Sequence, residues 1–213
     1  MPPTLNSYWL SALILAALLL SASGAPVTDA FTESPTDDPS GEGEMPSDLL
    51  SDSPRWGPFL AITKHHKKEF EDEFKDDVKY HFLENYKISS ATASCPMSNF
   101  SKEACLLRLV HGLQTYEVLL RHVLKEYPSW LILSGFKYRS DSMISLIKEK
   151  MRHPERVSAL SSNQEERLMT EVDNPNTFHR KMTAHSILRQ FHFFLVDSLV
   201  SLRKKELLKG SLS

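Results

Sequence analysis

The fold class is indicated by one stretch near the C-terminus, residues 174–207, which reads NPNTFHRKMTAHSILRQFHFFLVDSLVSLRKKEL. Asn174 can cap a helix, and Pro175 suits the first helical position, where its missing N–H costs nothing. Apolar residues then recur every three or four positions, the spacing that places them on one face of an α-helix. This face consists of Phe178, Met182, His185, Leu188, Phe191, Leu195, Leu199 and Leu202. The stretch therefore predicts a long amphipathic helix over about 175–207.

Three stretches upstream repeat this spacing and predict three further helices. The first is expected over about 59–87, the second over 105–127 before Pro128, and the third over 136–152 before Pro154, because the residue before a proline is disfavoured in a helix. The first helix carries a stripe at four-residue steps, formed by Phe70, Phe74, Val78, Phe82 and Tyr86. Four helices without a convincing strand predict an all-α bundle.

The lengths of the three connections distinguish the topologies open to such a bundle. The first and third connections, 88–104 and 153–173, are long, whereas the second, 128–135, is short. A helix of about 22 residues is about 33 Å long, and an extended chain spans that distance in roughly ten residues. Both long connections can therefore run the length of the bundle. This pattern favours an up-up-down-down four-helix bundle with long first and third crossovers over an up-down-up-down bundle.

The composition excludes several classes of protein. Of 213 residues, 41% are apolar and 24% are charged, with a formal net charge of −2, values that are ordinary for one or two small globular domains. The charge is too low for a histone-like nucleic-acid binder, so no nucleic-acid partner is expected. Two cysteines are too few for a disulfide-dense small scaffold.

The N-terminal residues 1–24 carry no charged side chain and predict a secretory signal peptide. Their apolar run, LSALILAALLL at 10–20, is too short for a bilayer span of roughly 20 residues. Small residues at Ala22 and Gly24 suit cleavage after Gly24; a buried helix or a retained anchor is the alternative. We therefore expect a secreted, extracellular chain that does not insert into a membrane after cleavage.

Residues 25–54 predict an acidic, flexible leader. They hold eight acidic residues and no Lys or Arg, and they are rich in Pro, Ser and Thr, so they cannot bury enough apolar surface to offset the entropy of ordering. Residues 55–213, the predicted folded domain, hold 25 basic and 19 acidic residues. The near-neutral net charge therefore conceals an acidic leader and a basic domain.

The two cysteines, Cys95 and Cys105, lie in the first long connection and at the start of the second helix. In an exported chain, an even count argues for a disulfide. The loop between them contains Asn99-Phe100-Ser101, an N-x-S acceptor for N-glycosylation. A zinc site would need further ligands at close spacing, so no metal is expected.

At these cysteines the chain resembles a known family. The spaced residues Cys95, Cys105, Gly112-Leu113, Tyr116 and Leu120 match the signature of the interleukin-6, granulocyte colony-stimulating factor and myelomonocytic growth factor family. The last helix is most similar to interleukin-6 members in Met182-Thr183-Ala184-His185 and Ile187-Leu188-Arg189. Three features depart from the family pattern: a second disulfide is absent, Val200 stands where longer-known members carry Arg, and Pro96 replaces an aromatic residue.

The resemblance implies a secreted, long-chain four-helix-bundle cytokine. Such a glycoprotein would trigger JAK/STAT signalling in immune, inflammatory and acute-phase responses. An interleukin-6-type α-receptor would contact Phe100 and Arg203, and a shared glycoprotein-130-type signalling receptor would contact Phe178. The basic cluster at the end of the last helix adds Lys204 as a further α-receptor contact. The residue types leave alternatives open, because both phenylalanines could pack in the core and Arg203 could be a solvated helix end.

No sequence motif supports an enzyme, since G-x-S-x-G, H-E-x-x-H, P-loop and G-x-G-x-x-G patterns do not occur. No cofactor is expected either. The basic run at 64–68, KHHKK, predicts either an exposed helix turn or weak heparin binding. The alternative function is a secreted helical carrier of an apolar ligand, which the broad apolar face of the last helix allows.

Overall fold

A computed structural model of the protein describes residues 49–75 and 77–210; the predicted signal peptide and most of the predicted leader lie outside them. The described residues are helical and contain no strand, so the all-α prediction is confirmed. The α-helices are α1 (Gly57–Lys64), α2 (His66–Phe74), α3 (Lys102–Glu126), α4 (Phe136–Glu149), α5 (Ser162–Val172) and α6 (Thr177–Gly210). Short 3₁₀ segments occur at Leu50–Asp52, Pro54–Trp56, Tyr80–Tyr86, Leu131–Leu133 and Pro154–Arg156.

Side-chain contacts with α6 give the directions of α1 and α2 relative to it. The hydroxyl of Thr63 lies 3.1 Å from Nδ1 of His192, whereas Glu73, further along α2, pairs with Lys181 at 2.6 Å. Later residues of α1 and α2 therefore meet earlier residues of α6, and these elements run antiparallel to it.

The same argument gives the directions of α3 and α4. Lys102 at the start of α3 pairs with Glu206 near the end of α6 at 2.7 Å, and Glu126 at the end of α3 pairs with Arg180 at 2.8 Å. Glu103 accepts a hydrogen bond from the backbone N–H of Arg152, just after α4, at 2.9 Å. Thus α3 runs antiparallel to both α6 and α4, and the predicted up-up-down-down topology is confirmed.

The first predicted helix, 59–87, is wrong in its continuity. It is divided into α1 and α2 around His65, and α2 ends because Lys75 adopts a left-handed conformation with φ of 44°, the geometry of a helix C-cap. Residues 80–86 form a separate 3₁₀ segment. The error arose because the apolar spacing of 70–86 continues across the break.

The chain on both sides of the break packs against the same residue of α6. Phe70 from α2 and Leu83 from the 3₁₀ segment form a small second core cluster with Met182, and other residues of the stripe are partly buried against it. Phe82 of the stripe is instead 46% exposed, and its neighbour Leu83 is buried. Hydrophobic periodicity therefore predicted most of the buried face, but neither the break in the helix nor the exposure of Phe82.

The other three predicted helices are present as α3, α4 and α6, with one correction to the last. Asn176, and not Asn174, caps α6, because its Oδ1 accepts from the backbone N–H of Phe178 at 2.8 Å. The third connection, 153–173, also contains α5, which the sequence analysis missed. Its signal is a capping box, in which Ser161 and Gln164 satisfy each other's backbone N–H groups.

The described residues include the last part of the predicted leader, 49–54. Leu50 is buried, and its carbonyl accepts a hydrogen bond from Nε1 of buried Trp56 at 2.9 Å. The carboxylate of Glu206 on α6 accepts from the backbone N–H groups of Leu50 and Ser51. We call residues 49–56, which these contacts attach to the C-terminal part of α6, the N-terminal anchor. The composition of the leader is polar on average, and it therefore does not predict this attachment.

The interior of the bundle is filled by side chains. Tyr116 of α3 packs against Phe191 and Phe194 of α6, with ring centroids 4.6 and 5.4 Å apart. Gly112 lies under Phe194, so closely that a Cβ atom would stand 1.9 Å from its Cζ. In the part of the chain that the structure describes, no helix is long and apolar enough to cross a membrane.

Candidate interaction surfaces

A disulfide attaches the loop before α3 to the bundle. Cys95 and Cys105 are bonded, with Cα atoms 5.2 Å apart, as their count and setting predicted. The backbone N–H of Cys95 donates to the hydroxyl of Ser198 at 3.0 Å, and the hydroxyl of Ser201 donates to the carbonyl of Cys95 at 3.2 Å. The loop is therefore fixed on α6 at a defined position.

This loop places Phe100 beside the C-terminal part of α6. The ring is half-buried against the main core, and Nζ of Lys205 lies 5.2 Å from its centroid. The aromatic was expected to be exposed rather than packed, and it is intermediate between the two. A cation over an aromatic face is an attractive contact of about 0.5–1 kcal/mol at exposed sites.

Arg203 and Lys204 are exposed on the same part of α6. Nε of Arg203 lies 3.6 Å from Oδ1 of Asp52 in the N-terminal anchor. We call this region, formed by Phe100, Asp52, Arg203, Lys204 and Lys205, the basic end. The structure thus brings three sequence-predicted contact residues, Phe100, Arg203 and Lys204, to one end of the bundle.

A buried carboxylate supports the basic end from beneath. Glu206 is buried and accepts from Nζ of Lys102 at 2.7 Å and from the backbone of Leu50 and Ser51. Burial alone would raise its pKa, but these hydrogen bonds outweigh burial and hold the pKa of Glu206 below its ordinary value. Glu206 therefore stays ionised and holds three segments together.

Asn99, the predicted glycosylation site, has an exposed side chain next to Phe100. Its backbone is left-handed, with φ of 54°, a conformation that asparagine tolerates better than most residues. The hydroxyl of Ser101, the third residue of the acceptor sequence, caps α3 by accepting from the backbone N–H of Ala104 at 3.0 Å. The acceptor amide is thus accessible on the rim of the basic end.

Phe178 lies in a different surface, at the N-terminal end of α6. Its side chain is 43% exposed, and Phe82, from the 3₁₀ segment facing it, is 46% exposed. Together with Asp77, Val78, Asn85, Tyr86, His179 and Met182, these two residues line an open depression that we call the apolar groove. The sequence analysis predicted Phe178 but missed Phe82, since it assigned that residue to the buried stripe of a continuous helix.

The two walls of the apolar groove are joined by specific contacts. The hydroxyl of Tyr86 is hydrogen-bonded to Nδ1 of His179 at 2.7 Å. The ring of Phe74, the last residue of α2, meets Phe178 edge-on with centroids 5.8 Å apart. One wall is therefore the loop that follows α2, and the other is the first turn of α6.

A partly buried polar network adjoins the groove, with His185 fully buried in it. Glu73 accepts from Nζ of Lys181 at 2.6 Å, from the hydroxyl of Tyr127 at 2.5 Å and from Nε2 of His185 at 2.9 Å. Burial raises the pKa of Glu73, but the three donors together outweigh it, so its pKa lies below the ordinary value. Sequence reasoning missed this network, because it considered His185 only as part of the apolar face.

The basic run 64–68 does not present one charged face. His66 is buried and its Nε2 lies 2.5 Å from the hydroxyl of Tyr80. Lys67 and Lys68 pair with Glu71 and Asp72 one helical turn later, at 3.6 and 2.9 Å. Three of the five residues in the run are therefore turned inward or paired locally.

Within residues 49–75 and 77–210, no group of three or more His, Cys, Asp or Glu side chains is placed to hold a metal ion. The features that stand out are the basic end and the apolar groove, which are surfaces suited to macromolecular partners.

Comparisons with known proteins agree with the resemblance seen in the sequence. Residues 71–205 match the Interleukin-6/G-CSF/MGF family. The chain is 58% identical to Interleukin-6 of Paralichthys olivaceus over 200 residues, which cover 93% of this chain and 87% of the relative. It is 49% identical to Interleukin-6 of Takifugu rubripes (90% and 84% covered) and 46% identical to that of Sparus aurata (99% and 93% covered).

Proposed function

The chain belongs to the Interleukin-6/G-CSF/MGF family, and on that premise we propose that it is secreted and signals through two kinds of receptor. Family membership makes it a cytokine and not an enzyme. The proposed partners are an α-receptor of the interleukin-6 type and a shared signalling receptor of the glycoprotein-130 type. The alternative of a helical carrier loses its support, since nothing in the family match points to ligand transport.

The separation of the two surfaces along α6 is the observation that carries this proposal. Phe178 in the apolar groove and Arg203 at the basic end are 25 residues apart on one helix, about 37 Å at 1.5 Å per residue. A standard protein interface covers about 800 Å² on each partner. Two receptors can therefore occupy the two ends of the bundle without overlapping.

The basic end is the proposed site for the α-receptor. It combines a half-buried aromatic, Phe100, with the exposed cations Arg203 and Lys204, and aromatic and arginine side chains are enriched among interface residues that contribute most to affinity. The matching receptor surface would be acidic, which would also accelerate association through electrostatic steering.

The apolar groove is the proposed site for the shared receptor. Phe178 and Phe82 are exposed side by side, and an apolar depression with a polar rim suits an aromatic or aliphatic anchor from a partner. Engagement of both receptors would trigger JAK/STAT signalling in immune, inflammatory and acute-phase responses.

The proposed processing follows from the secretory route. Residues 1–24 would be removed as a signal peptide, 25–54 would remain as an acidic leader attached at its end, and 55–213 would form the cytokine domain. Asn99 would be N-glycosylated, and heparin binding by the run 64–68 would be weak, since Lys67 and Lys68 are paired locally.

The test is phosphorylation of a STAT protein in cells that respond to the cytokine. The purified mature chain should trigger phosphorylation at nanomolar dose. Such a dose requires a receptor affinity near 1 nM, which corresponds to about 12 kcal/mol of binding free energy. A sample of the protein whose disulfide has been reduced and alkylated serves as the control, because any phosphorylation that it triggers equally well would come from contaminants. Absence of phosphorylation at micromolar dose, together with release of lipid on organic extraction, would favour the carrier instead.

A further inference from the structure

We infer that Glu73 is a positioning residue for the apolar groove, and that its buried network makes binding of the shared receptor sensitive to protonation. The inference rests on the proposed function, because it concerns the same groove. Its structural part, that the network fixes the groove, can be tested without any receptor.

The network joins three helices at one carboxylate. Glu73 belongs to α2, Tyr127 follows α3, and Lys181 and His185 belong to α6. Both oxygens of the carboxylate are used, since Oε1 accepts from Lys181 and Oε2 accepts from Tyr127 and His185. Charge-assisted hydrogen bonds of this kind are stronger than neutral ones, so this carboxylate fixes the relative positions of the three helix ends.

The groove is built on the chain that adjoins Glu73. Phe74, the next residue, contacts both Phe178 and His185 with ring centroids 5.8 Å apart in each case. Helix α2 then ends at Lys75, and the chain continues into residues 77–86, which supply one wall of the groove. A shift of Glu73 would therefore be transmitted to Phe178 through Phe74 and to Phe82 through the backbone.

The second wall is attached to the same network. Lys181 and His185 lie one and two turns after Phe178 on α6, and Met182 between them contributes to the groove. The Glu73 carboxylate consequently holds both walls, one through the end of α2 and the other through α6.

Protonation would disturb this arrangement at His185. A carboxylate can only accept, so Nε2 of His185 carries the proton that it donates to Glu73. A second proton would have to enter at Nδ1, which is buried and has no hydrogen-bond partner among the described residues. A buried donor without an acceptor is costly, and the imidazolium would therefore force the surrounding side chains to rearrange.

The titratable groups around His185 set the direction of this response. They are His66 and Glu73 on α2, Tyr127 just after α3, and Lys181 on α6. Burial lowers the pKa of His185, and the Glu73 carboxylate opposes that shift only in part. The neutral network is thus stable at pH 7 and is lost as the pH falls below the ordinary histidine range.

The experiment compares Glu73→Gln with Glu117→Gln in the full mature chain. Glu117 is a matched control, since its side chain is 15% exposed against 21% for Glu73, it pairs with a lysine, Lys137, and it lies outside both surfaces. NMR spectra of the histidine and aromatic rings would report on the network and on Phe178, Phe82 and Tyr86. A biosensor would measure affinity for the shared-receptor ectodomain at pH 7.4 and pH 5.5.

We expect Glu73→Gln to shift the ring resonances of the groove and to lower the pKa of His185, because the opposing carboxylate charge is removed. Affinity for the shared receptor should fall about tenfold at pH 7.4, and the loss of affinity that wild type shows at pH 5.5 should largely disappear. Glu117→Gln should leave the groove spectrum, the affinity and the pH profile as in wild type.

The outcomes separate this inference from the proposed function. Unchanged groove resonances and an unchanged His185 titration in Glu73→Gln would overturn the positioning role, whatever the receptor does. Equal effects of Glu73→Gln and Glu117→Gln would also overturn it, since they would indicate general destabilisation. If wild type does not bind the receptor at all, the proposed function fails, and the ring spectra alone then decide the role of Glu73.

Discussion

Two carboxylates, one behind each proposed receptor surface, show how single side chains organise this bundle. Glu73 is held by Lys181 and further donors behind the apolar groove, and Glu206 is held by Lys102 and backbone N–H groups beneath the basic end. Each joins segments that are distant in sequence. Glu206 is the buried one of the two, and removal of its partner Lys102 should be strongly destabilising, since it leaves an uncompensated charge.

The buried histidines predict a loss of stability in mild acid. Burial lowers the pKa of His66 and of His185, so the unfolded chain binds protons near pH 6.5 that the folded chain does not. The free energy of unfolding should fall as the pH drops below about 6.5, by at most about 1.4 kcal/mol per pH unit for each histidine. The lowered pKa values of Glu73 and Glu206 should add a further loss below about pH 4.5.

Denaturant unfolding followed by circular dichroism between pH 7.5 and 4 measures this dependence. Replacement of His66 by Gln should reduce the slope, because its burial lowers its pKa. A free energy of unfolding that is constant from pH 7.5 to 5.5 would contradict the protonation states assigned here.

Arg203 at the basic end carries a prediction about the α-receptor. Arg203→Ala should weaken α-receptor binding about tenfold, or 1.4 kcal/mol, because an exposed guanidinium is removed from the proposed contact. Asp52→Asn is the control, since it removes the acidic partner of Arg203 at 3.6 Å and keeps the guanidinium. Its affinity should equal or exceed that of wild type. An affinity of Arg203→Ala within error of wild type would remove Arg203 from the site.

At the scale of single residues, the sequence predicted those residues that carry a local signal. The disulfide of Cys95 and Cys105 was predicted from their count and setting. Phe100 and Arg203 were proposed as contacts from a resemblance over short motifs, and Lys204 from the basic cluster beside Arg203. The Glu73 network has no such signal, because its partner His185 is 112 residues away and each residue alone fits an ordinary helix. Only the folded backbone brings them together.

At the scale of helices, the close approach of α3 and α6 depends on a small residue. Gly112 faces the ring of Phe194, and a Cβ atom there would lie within 2.6 Å of three ring carbons. This contact gives Gly112 a structural role in addition to its place in the family signature. A glycine in a helix interior costs about 1 kcal/mol relative to alanine, and the close packing of Phe194 offsets that cost.

Gly112→Ala should therefore destabilise the protein by about 1–3 kcal/mol through overpacking, although alanine is the better helix former. Gly57→Ala provides the contrast, because a Cβ atom at Gly57 at the start of α1 meets nothing within 4 Å. Its stability should be unchanged or slightly raised. Chemical denaturation of both variants measures the difference, and equal stabilities would show that α3 and α6 can separate without cost.

The helices that the sequence predicted well are those with one continuous buried face. α3, α4 and α6 fit this description, and their positions were correct to within a few residues. The first predicted helix failed because Lys75 ends α2 in a left-handed conformation, which no residue type demands at that position. α5 was missed because its apolar residues, Leu168 and Val172, are too few to show a period.

At the scale of the whole molecule, the described residues are organised around α6, which contacts the N-terminal anchor, α1, α2, the 3₁₀ segment 80–86 and α3. Its C-terminal part holds the N-terminal anchor and the disulfide loop, and its N-terminal part holds the Glu73 network. The two candidate surfaces are consequently built from different segments on one rigid helix. A substitution in one surface should leave the other intact, because residues this far apart without shared partners behave independently.

The central claim is that these two surfaces bind two different receptors, and sequential binding on a biosensor tests it most directly. Immobilised α-receptor would first capture the chain, and the shared-receptor ectodomain would then be added. We predict that wild type supports both steps, whereas Phe178→Ala is captured normally and loses the second step by at least tenfold. Loss of capture by Phe178→Ala, or a second step as strong as in wild type, would contradict the assignment of separate receptor surfaces.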